Sequence, residues 1–264
     1  MARLALLSTD FDGTLIMHPS DGRCTPAFAD VLLQHKSSGG VWAVNTGRSL
    51  EHAQEGIAQF QAPYPPDYLL TNEREIFLRA ACGNYLPHTP WNSLCDKRHD
   101  DLFLRSEPVI VRVRERASRS PDVTIIEEAG RPVGLVTSSE HVMEEIAGML
   151  DNECAAFPDF SYQRNTVYLR FCHIDYNKGT ALRELCCLAG IHPSAVLAAG
   201  DHFNDLSMLD GTHAAFPCCP SNAIAEIKAA VGAAGGYIAT KPAADGIAEA
   251  WHFFTRNAVG EQSA

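Results

Sequence analysis

Both ends of the chain alternate short, unbroken apolar runs with segments of helical period, and this rhythm restricts the fold more than any other feature. "RLALLS" (3–8), "VWAVNT" (41–46) and "DYLLT" (67–71) have the length and composition of strands covered on both faces. Between them, "TPAFADVLLQHK" (25–36) reads as a helix, with Thr25 to cap it, Pro26 at its first position and Gly39-Gly40 to stop it. "LEHAQEGIAQF" (50–60) reads as a second helix. A β-α-β-α-β order predicts a parallel sheet with helices on both sides. The last third repeats the pattern, with a helix at "NKGTALRELCCLAG" (177–190), a buried strand ending in an acid at "SAVLAAGD" (194–201), a short helix at "NDLSML" (204–209) and a strand at "HAAFP" (213–217). Ser221 is placed to cap "NAIAEIKAAV", "GYIAT" reads as a strand, and Asp245 is placed to cap "GIAEAWHFFT".

The middle reads differently. "EPVIVRVRERAS" (107–118) has Pro108 near a helix start, although its valines and arginines alternate. "DVTIIEE" and "PVGLVT" are strands around the turn "AGR", "EHVMEEIAGMLD" (140–151) is a helix, and "FSYQ" and "TVYLRFC" are strands joined at Arg164-Asn165. This α-β-β-α-β-β order suits a small antiparallel sheet with helices on one face. The expected organisation is a discontinuous α/β core, residues 1–79 and 174–264, interrupted by an α+β insert at 80–173. The chain shows no repeat of 20–50 residues, and "VGEQSA" at its end is expected to fray.

Composition excludes several classes. A formal charge of −11 over 264 residues disfavours nucleic acid and anionic membrane surfaces as partners. No run approaches the roughly 18 apolar residues of a membrane span, and "LALL" is too short for a signal-peptide core. Nine cysteines, including the adjacent pairs Cys186-Cys187 and Cys218-Cys219 and no C-x-x-C, read as small buried hydrophobes in a reduced cytoplasmic protein. Oligomeric state is not legible.

Four places carry chemistry. In "LLSTDFDGTL" (6–15), Asp10 and Asp12 sit just past the first strand, at the sheet edge where ligands bind in open parallel sheets. Asp10 can attack an electrophile, Asp12 can exchange a proton on the other side of the reacting atom, and Gly13 lets the backbone turn sharply. The plain alternative is a pair of loop carboxylates that cap the next segment. Thr46-Gly47-Arg48 ends the second strand, where a hydroxyl and backbone N–H groups can hold phosphate oxygens. No G-x-S-x-G elbow is present there. Lys178 adds a cation to the positive end of a helix, an arrangement that makes sense with a bound anion, although a lone lysine there more often points into solvent. It is not part of a Walker A loop. In "GDHFNDLSML" (200–209), Asp201 ends a buried strand and can join Asp10 and Asp12 around a hard cation such as Mg²⁺. Asn204 and Asp205 read equally well as helix caps, and His202 as a bystander.

Together and in this order, "DFDGT", Thr46, Lys178 and "GDHFND" resemble the four motifs of the haloacid dehalogenase (HAD) superfamily of phosphohydrolases. "AAFPCCPSNAIAEIK" resembles the P-x-N-A segment of one branch, and the insert resembles the cap of the Cof-type, sucrose-phosphatase-like branch. One departure stands out: "TNEREI" (71–76) puts Glu73 and Arg74 where that branch often has an Asn-Gly-Ala-like turn, which bears on cap hinge and substrate entry rather than on chemistry. The resemblance implies a HAD-like Rossmannoid core with a cap. It implies an aspartyl-phosphate on Asp10, with Asp12 as acid and base, and Mg²⁺ held by Asp10, the Asp12 carbonyl and Asp201, with Asp205 in or beside that shell. Thr46, Gly47, Lys178 and Asn204 would hold the phosphoryl group. Crowded carboxylates would raise one pKa in the direction that an acid role for Asp12 needs. The implied activity is Mg²⁺-dependent hydrolysis of a small phosphorylated metabolite, a sugar phosphate by the type of cap. A phosphosugar mutase and a non-catalytic phosphometabolite-binding protein are the alternatives. Arg164, Asn165, Tyr168 and Arg170 are the specificity candidates in the cap, with Val167 and Leu169 turned to its helices.

Overall fold

A computed structural model describes residues 4–17, 22–128 and 130–260. Arg3, Ala129 and residues 261–264, which belong to the expected first strand, the "AGR" turn and the C-terminal tail, lie outside the described residues. Two compact units form, one from Met1–Asn92 with Lys178–Ala264 and the other from Ser93–Asn177.

The first unit is built on an eight-stranded sheet of order β12-β11-β10-β1-β2-β3-β4-β5. Its strands are β1 (Leu6–Thr9), β2 (Val41–Asn45), β3 (Tyr68–Thr71), β4 (Glu75–Arg79), β5 (Tyr85–Pro87), β10 (Val196–Ala199), β11 (Phe216–Cys219) and β12 (Tyr237–Ile238). The six from β12 to β3 are parallel, and β4 and β5 fold back antiparallel at one edge. The chain leaves β1 toward β2 and β3, and returns later on its other side as β10. The strand order therefore reverses at β1, which opens a crevice beyond its carboxyl end.

Residue alternation along these strands feeds two separate cores. Leu7, Trp42, Leu69 and Leu197 pack with Phe28, Val31 and Leu32 of α1 (Pro26–Ser37), Ile57 and Phe60 of α2 (Leu50–Phe60), and Ile247 and Trp251 of α9 (Ala243–Gly260). Leu6, Ala43, Leu70 and Val196 pack with Leu182 and Leu185 of α6 (Lys178–Ala189), Met208 and Leu209 of α7 (Leu206–Leu209), and Ile227 and Val231 of α8 (Ala225–Ala233). The same alternation explains the pair Cys218-Cys219, since Cys218 enters one core and Cys219 the other, whereas Cys186-Cys187 lies on α6 with Cys187 exposed. All nine cysteines are free thiols.

The second unit carries the sheet β6-β7-β9-β8, with β6 (Val123–Glu128), β7 (Arg131–Thr137), β8 (Phe160–Asn165) and β9 (Tyr168–His173) all antiparallel. Leu135, Leu169 and Phe171 pack against Val109, Ile110 and Val113 of α4 (Glu107–Ser118) and Met143, Ile146 and Leu150 of α5 (Glu140–Cys154). In α4 the alternation of valine and arginine gives way to helical spacing, with the arginines outside: Arg114 reaches Glu127 at 2.8 Å and Arg116 reaches Glu145 at 3.2 Å. Among the described residues no helix is long and apolar enough to cross a membrane.

Several expectations need correction. After β3, for which the sequence pattern predicts no further strand, β4 and β5 extend the main sheet and α3 (Thr89–Arg105) follows; the units divide at Asn92/Ser93 and Asn177/Lys178 rather than at 79/80 and 173/174. The β8–β9 turn lies at Thr166-Val167, not Arg164-Asn165, because both of those residues pair with β9. Ser221 caps nothing, since α8 starts at Ala225 after Ile224, and Asp245 lies inside the first turn of α9 rather than before it. Helix α9 continues through Gly260, so Val259 and Gly260 of the expected frayed tail are helical. Thr25 does cap α1, accepting the Phe28 N–H at 3.3 Å. Arg170, a specificity candidate, is buried, with its guanidinium 3.2 Å from Glu128 and 3.1 Å from the Tyr168 hydroxyl.

Leu197 of β10 is fully buried between neighbouring strands. Leu197→Ala should lower the unfolding free energy by about 2–5 kcal/mol, read from urea unfolding. A loss below about 1 kcal/mol would contradict this placement of the strand.

Candidate active site

The crevice at β1 gathers the residues expected to act. Asp10 follows the last residue of β1, and its N–H donates to the Ala199 carbonyl of β10 at 2.9 Å. Both β1 and β10 are buried along their length, so the two strand ends are fixed relative to each other, and with them Asp10 and Asp201. Gly13 turns the chain with φ +79°, and its α-carbon lies so close to Asp201 that a Cβ would come within 2.2 Å of a carboxylate oxygen. Thr14 then donates its hydroxyl to Asp201 at 2.6 Å. Asn222 holds the same turn by donating to the Gly13 carbonyl at 2.7 Å and accepting the Ala243 N–H at 2.9 Å.

Lys178, which a lone reading would place in solvent, has 0% of its surface exposed. Its ammonium lies 2.9 Å from Asp10 and 2.6 Å from Asp205. Burial alone would pull its pKa down, but the charges of Asp10, Asp205 and Glu73 outweigh that and hold it above the ordinary lysine range. Asp205 also accepts the N–H groups of Asp201 and His202 at 2.8 and 3.0 Å, so it fixes the loop that presents Asp201. The ring of His202 accepts the Phe203 N–H at 3.0 Å.

The oxygens of Asp10, Asp201 and Asp205 lie within 4.8 Å of one another, all buried. Burial, then the charge of Asp205, holds the Asp10 carboxyl well above the usual range against the pull of Lys178. Burial, again followed by Asp205, lifts Asp201 to about 7. Three buried carboxylates, two of them paired with the one ammonium of Lys178, offer oxygen donors only, which fits a hard divalent cation. Asp205, already bonded to Lys178 and to two amides, is the weakest free donor of the three.

Asp12 stands differently. Its side chain is 38% exposed and gripped at both oxygens by Arg48, at 2.7 and 2.5 Å, with the guanidinium 4.8 Å above the Phe11 ring. The carboxyls that are raised are those of Asp10 and Asp201, by burial first and by the charge of Asp205 second. Arg48 follows Thr46-Gly47 in the sequence, and its spacing alone gives no sign that it reaches back to Asp12.

Thr46 and Gly47 follow β2. The Thr46 hydroxyl accepts the Arg48 N–H at 3.2 Å. Asn204 is buried, and its amide donates to Glu73 at 3.0 Å. Glu73, read from sequence only as a departure in a turn, is thus a buried carboxylate inside the site. Asp10, Lys178, Asp201, Asn204 and Asp205 therefore converge in one unit, with Asp12, Thr46 and Gly47 around them.

A doubly wound α/β core with a buried cluster of aspartates and a lysine at its strand-order reversal has its ligand site there. Sequence comparison makes this specific. Residues 120–250 match the family model described as haloacid dehalogenase-like hydrolase, and residues 3–106 match that described as Sucrose-6F-phosphate phosphohydrolase. The chain belongs to the HAD superfamily of phosphohydrolases. Among solved structures it is similar to the sucrose-phosphatase of Synechocystis sp. PCC6803, determined with sucrose and phosphate, at 21% identity and TM-score 0.69 over 96% of this chain and 98% of that one. It is also similar to the phosphatase BT1666 of Bacteroides thetaiotaomicron, at 17% identity and TM-score 0.61 over 96% of each chain. A third similar structure is the HAD subclass IIB sugar phosphatase BT4131, at 16% identity and TM-score 0.57 over 95% and 98%. These structural likenesses establish a shared fold.

The raised pKa of Asp201 has a measurable consequence. In the metal-free fold it keeps its proton up to about 7, whereas an unfolded Asp loses it near 4. Its contribution to stability is therefore fully present below about pH 4 and is lost as pH rises through about 7. The melting temperature of metal-free wild type, relative to Asp201→Asn, should fall across that window. A difference independent of pH would contradict the burial of this carboxyl.

Proposed function

We propose that the protein is a Mg²⁺-dependent phosphatase that hydrolyses a small phosphorylated metabolite, a sugar phosphate, through an aspartyl-phosphate on Asp10. The observation that supports this best is Asp10 itself: a strand-end carboxylate fixed by the Lys178 ammonium at 2.9 Å, with Asp201 and Asp205 beside it. Sugar phosphate as the substrate class is supported by the Sucrose-6F-phosphate phosphohydrolase family model over residues 3–106 and by the sugar phosphatases of the same fold.

In this mechanism an oxygen of Asp10 attacks phosphorus as the bond to the leaving oxygen breaks. Asp12 gives that oxygen its proton, so the leaving group departs as a neutral alcohol. Asp12 then takes a proton from water, whose oxygen attacks phosphorus and releases inorganic phosphate from Asp10. Lys178, the Thr46 hydroxyl, the Gly47 backbone and the Asn204 amide orient the phosphoryl oxygens and balance their charge. Arg48 bonds both oxygens of Asp12 and must release one of them for Asp12 to carry the proton that it gives to the leaving oxygen. A divalent cation bound by Asp10, Asp201 and the Asp12 carbonyl, with Asp205 adjacent, would offset the carboxylate charge and polarise the phosphoryl group. Nine free thiols suit a reducing compartment such as the cytoplasm.

Phosphate release from a panel of hexose and disaccharide phosphates should be abolished by EDTA and restored by Mg²⁺. Asp10→Asn should still melt cooperatively as a folded protein and lose turnover by at least about a thousandfold, by analogy with the loss of other covalent nucleophiles. Full activity in metal-free buffer, or near wild-type turnover in Asp10→Asn, would contradict the proposal. Return of the phosphoryl group to another hydroxyl of the sugar, without free phosphate, would indicate a mutase.

A further inference from the structure

Glu73 meets three of the four residues assigned above to the phosphoryl group, Thr46, Gly47 and Asn204, and its charge acts on the fourth, Lys178. Its N–H donates to the Thr46 carbonyl at 3.0 Å. Its carboxylate lies against Gly47, where a Cβ would be 3.2 Å from Oε1. The same oxygen accepts the Asn204 amide at 3.0 Å, and its charge acts on Lys178. It is a buried anion standing among the groups meant for a substrate anion.

The backbone shows that this placement is enforced. Asn72 and Glu73 both adopt left-handed conformations, with φ of +49° and +64°. A glutamate there is strained, and such strain persists only where the surroundings impose it. The imposing contacts are with the phosphate loop itself, since Asn72 N–H donates to the Arg48 carbonyl at 2.8 Å and Glu73 N–H to that of Thr46. The turn after β3 is therefore tied to the loop after β2, and its side chain is directed inward. Backbone strain and a buried charge coincide in one residue, although a smaller, neutral one would relieve both.

We propose that Glu73 is an internal competitor for the phosphoryl site: in the empty enzyme its carboxylate occupies the Asn204 amide, and phosphate or a phosphomonoester must displace it to bind. This rests on the assignment of Thr46, Gly47, Lys178 and Asn204 to the phosphoryl group. The consequence is selection. A bare phosphate meets the full repulsion of Glu73, whereas a substrate whose leaving group makes further contacts can overcome it. Inorganic phosphate, the product, therefore leaves readily.

The test is titration calorimetry of inorganic phosphate into Mg²⁺-loaded wild type, Glu73→Gln and Glu73→Gly, with KM and kcat on one phosphomonoester and a melting curve for each protein. The first variant removes the charge and keeps the shape; the second removes the side chain and suits the left-handed backbone. Losing one charged competitor should tighten phosphate binding about tenfold in both variants, with KM falling in step and melting temperatures at or above wild type. Phosphate binding unchanged or weaker in both folded variants, with turnover intact, would overturn the inference and leave the phosphatase reading standing. Neither binding nor turnover in any of the three proteins would overturn both.

Discussion

The buried ammonium of Lys178 between Asp10 and Asp205 is the interaction on which the rest of the site depends. A lysine with no exposed surface is sustained only by such partners, since desolvation otherwise favours its neutral form. The pairing fixes more than one charge. Asp205 is bonded through its other oxygen to the loop of Asp201, so one cation aligns the end of β1, the start of α6 and the loop after β10. Three segments far apart in sequence are thereby held at one sheet edge.

The electrostatics are layered. Five carboxylates, Asp10, Asp12, Glu73, Asp201 and Asp205, face two fixed cations, Lys178 and Arg48. Each cation has a separate task. Lys178 lies in the buried interior of the cluster, while Arg48 takes Asp12 at its more exposed rim. The remaining negative charge makes the site suited to a divalent cation, and with that cation the site is able to receive a phosphate dianion. The acidic composition of the chain is thus compatible with anion recognition, because local charge and net charge are set by different residues.

Much of this was legible in the sequence because it follows local rules. Helix α2 runs Leu50–Phe60 as its periodicity requires, and β1, β2, β3 and β10 fall within the apolar runs. Asp10, Lys178 and Asp201 stand where strand and helix ends meet, which is a positional argument that needs no tertiary information. The sequence did not reveal features that depend on contact between distant segments. Strands β4 and β5 carry little alternation because they form an edge hairpin on β3. Arg48 reaches Asp12 across 36 positions, and Glu73 reaches Asn204 across 131. Neither spacing carries a periodic signal, so both residues were visible only as parts of motifs without a role.

The central claim is that Asp10 carries the phosphoryl group. It is tested most directly by rapid acid quench of the Mg²⁺-loaded enzyme during turnover of a sugar phosphate, followed by mass mapping of the peptide that contains residues 6–15. The account predicts a hydroxylamine-sensitive phosphoryl adduct on Asp10 that disappears in Asp10→Asn together with phosphate release. Continued phosphate release from Asp10→Asn, with no adduct on the wild-type peptide, would contradict it.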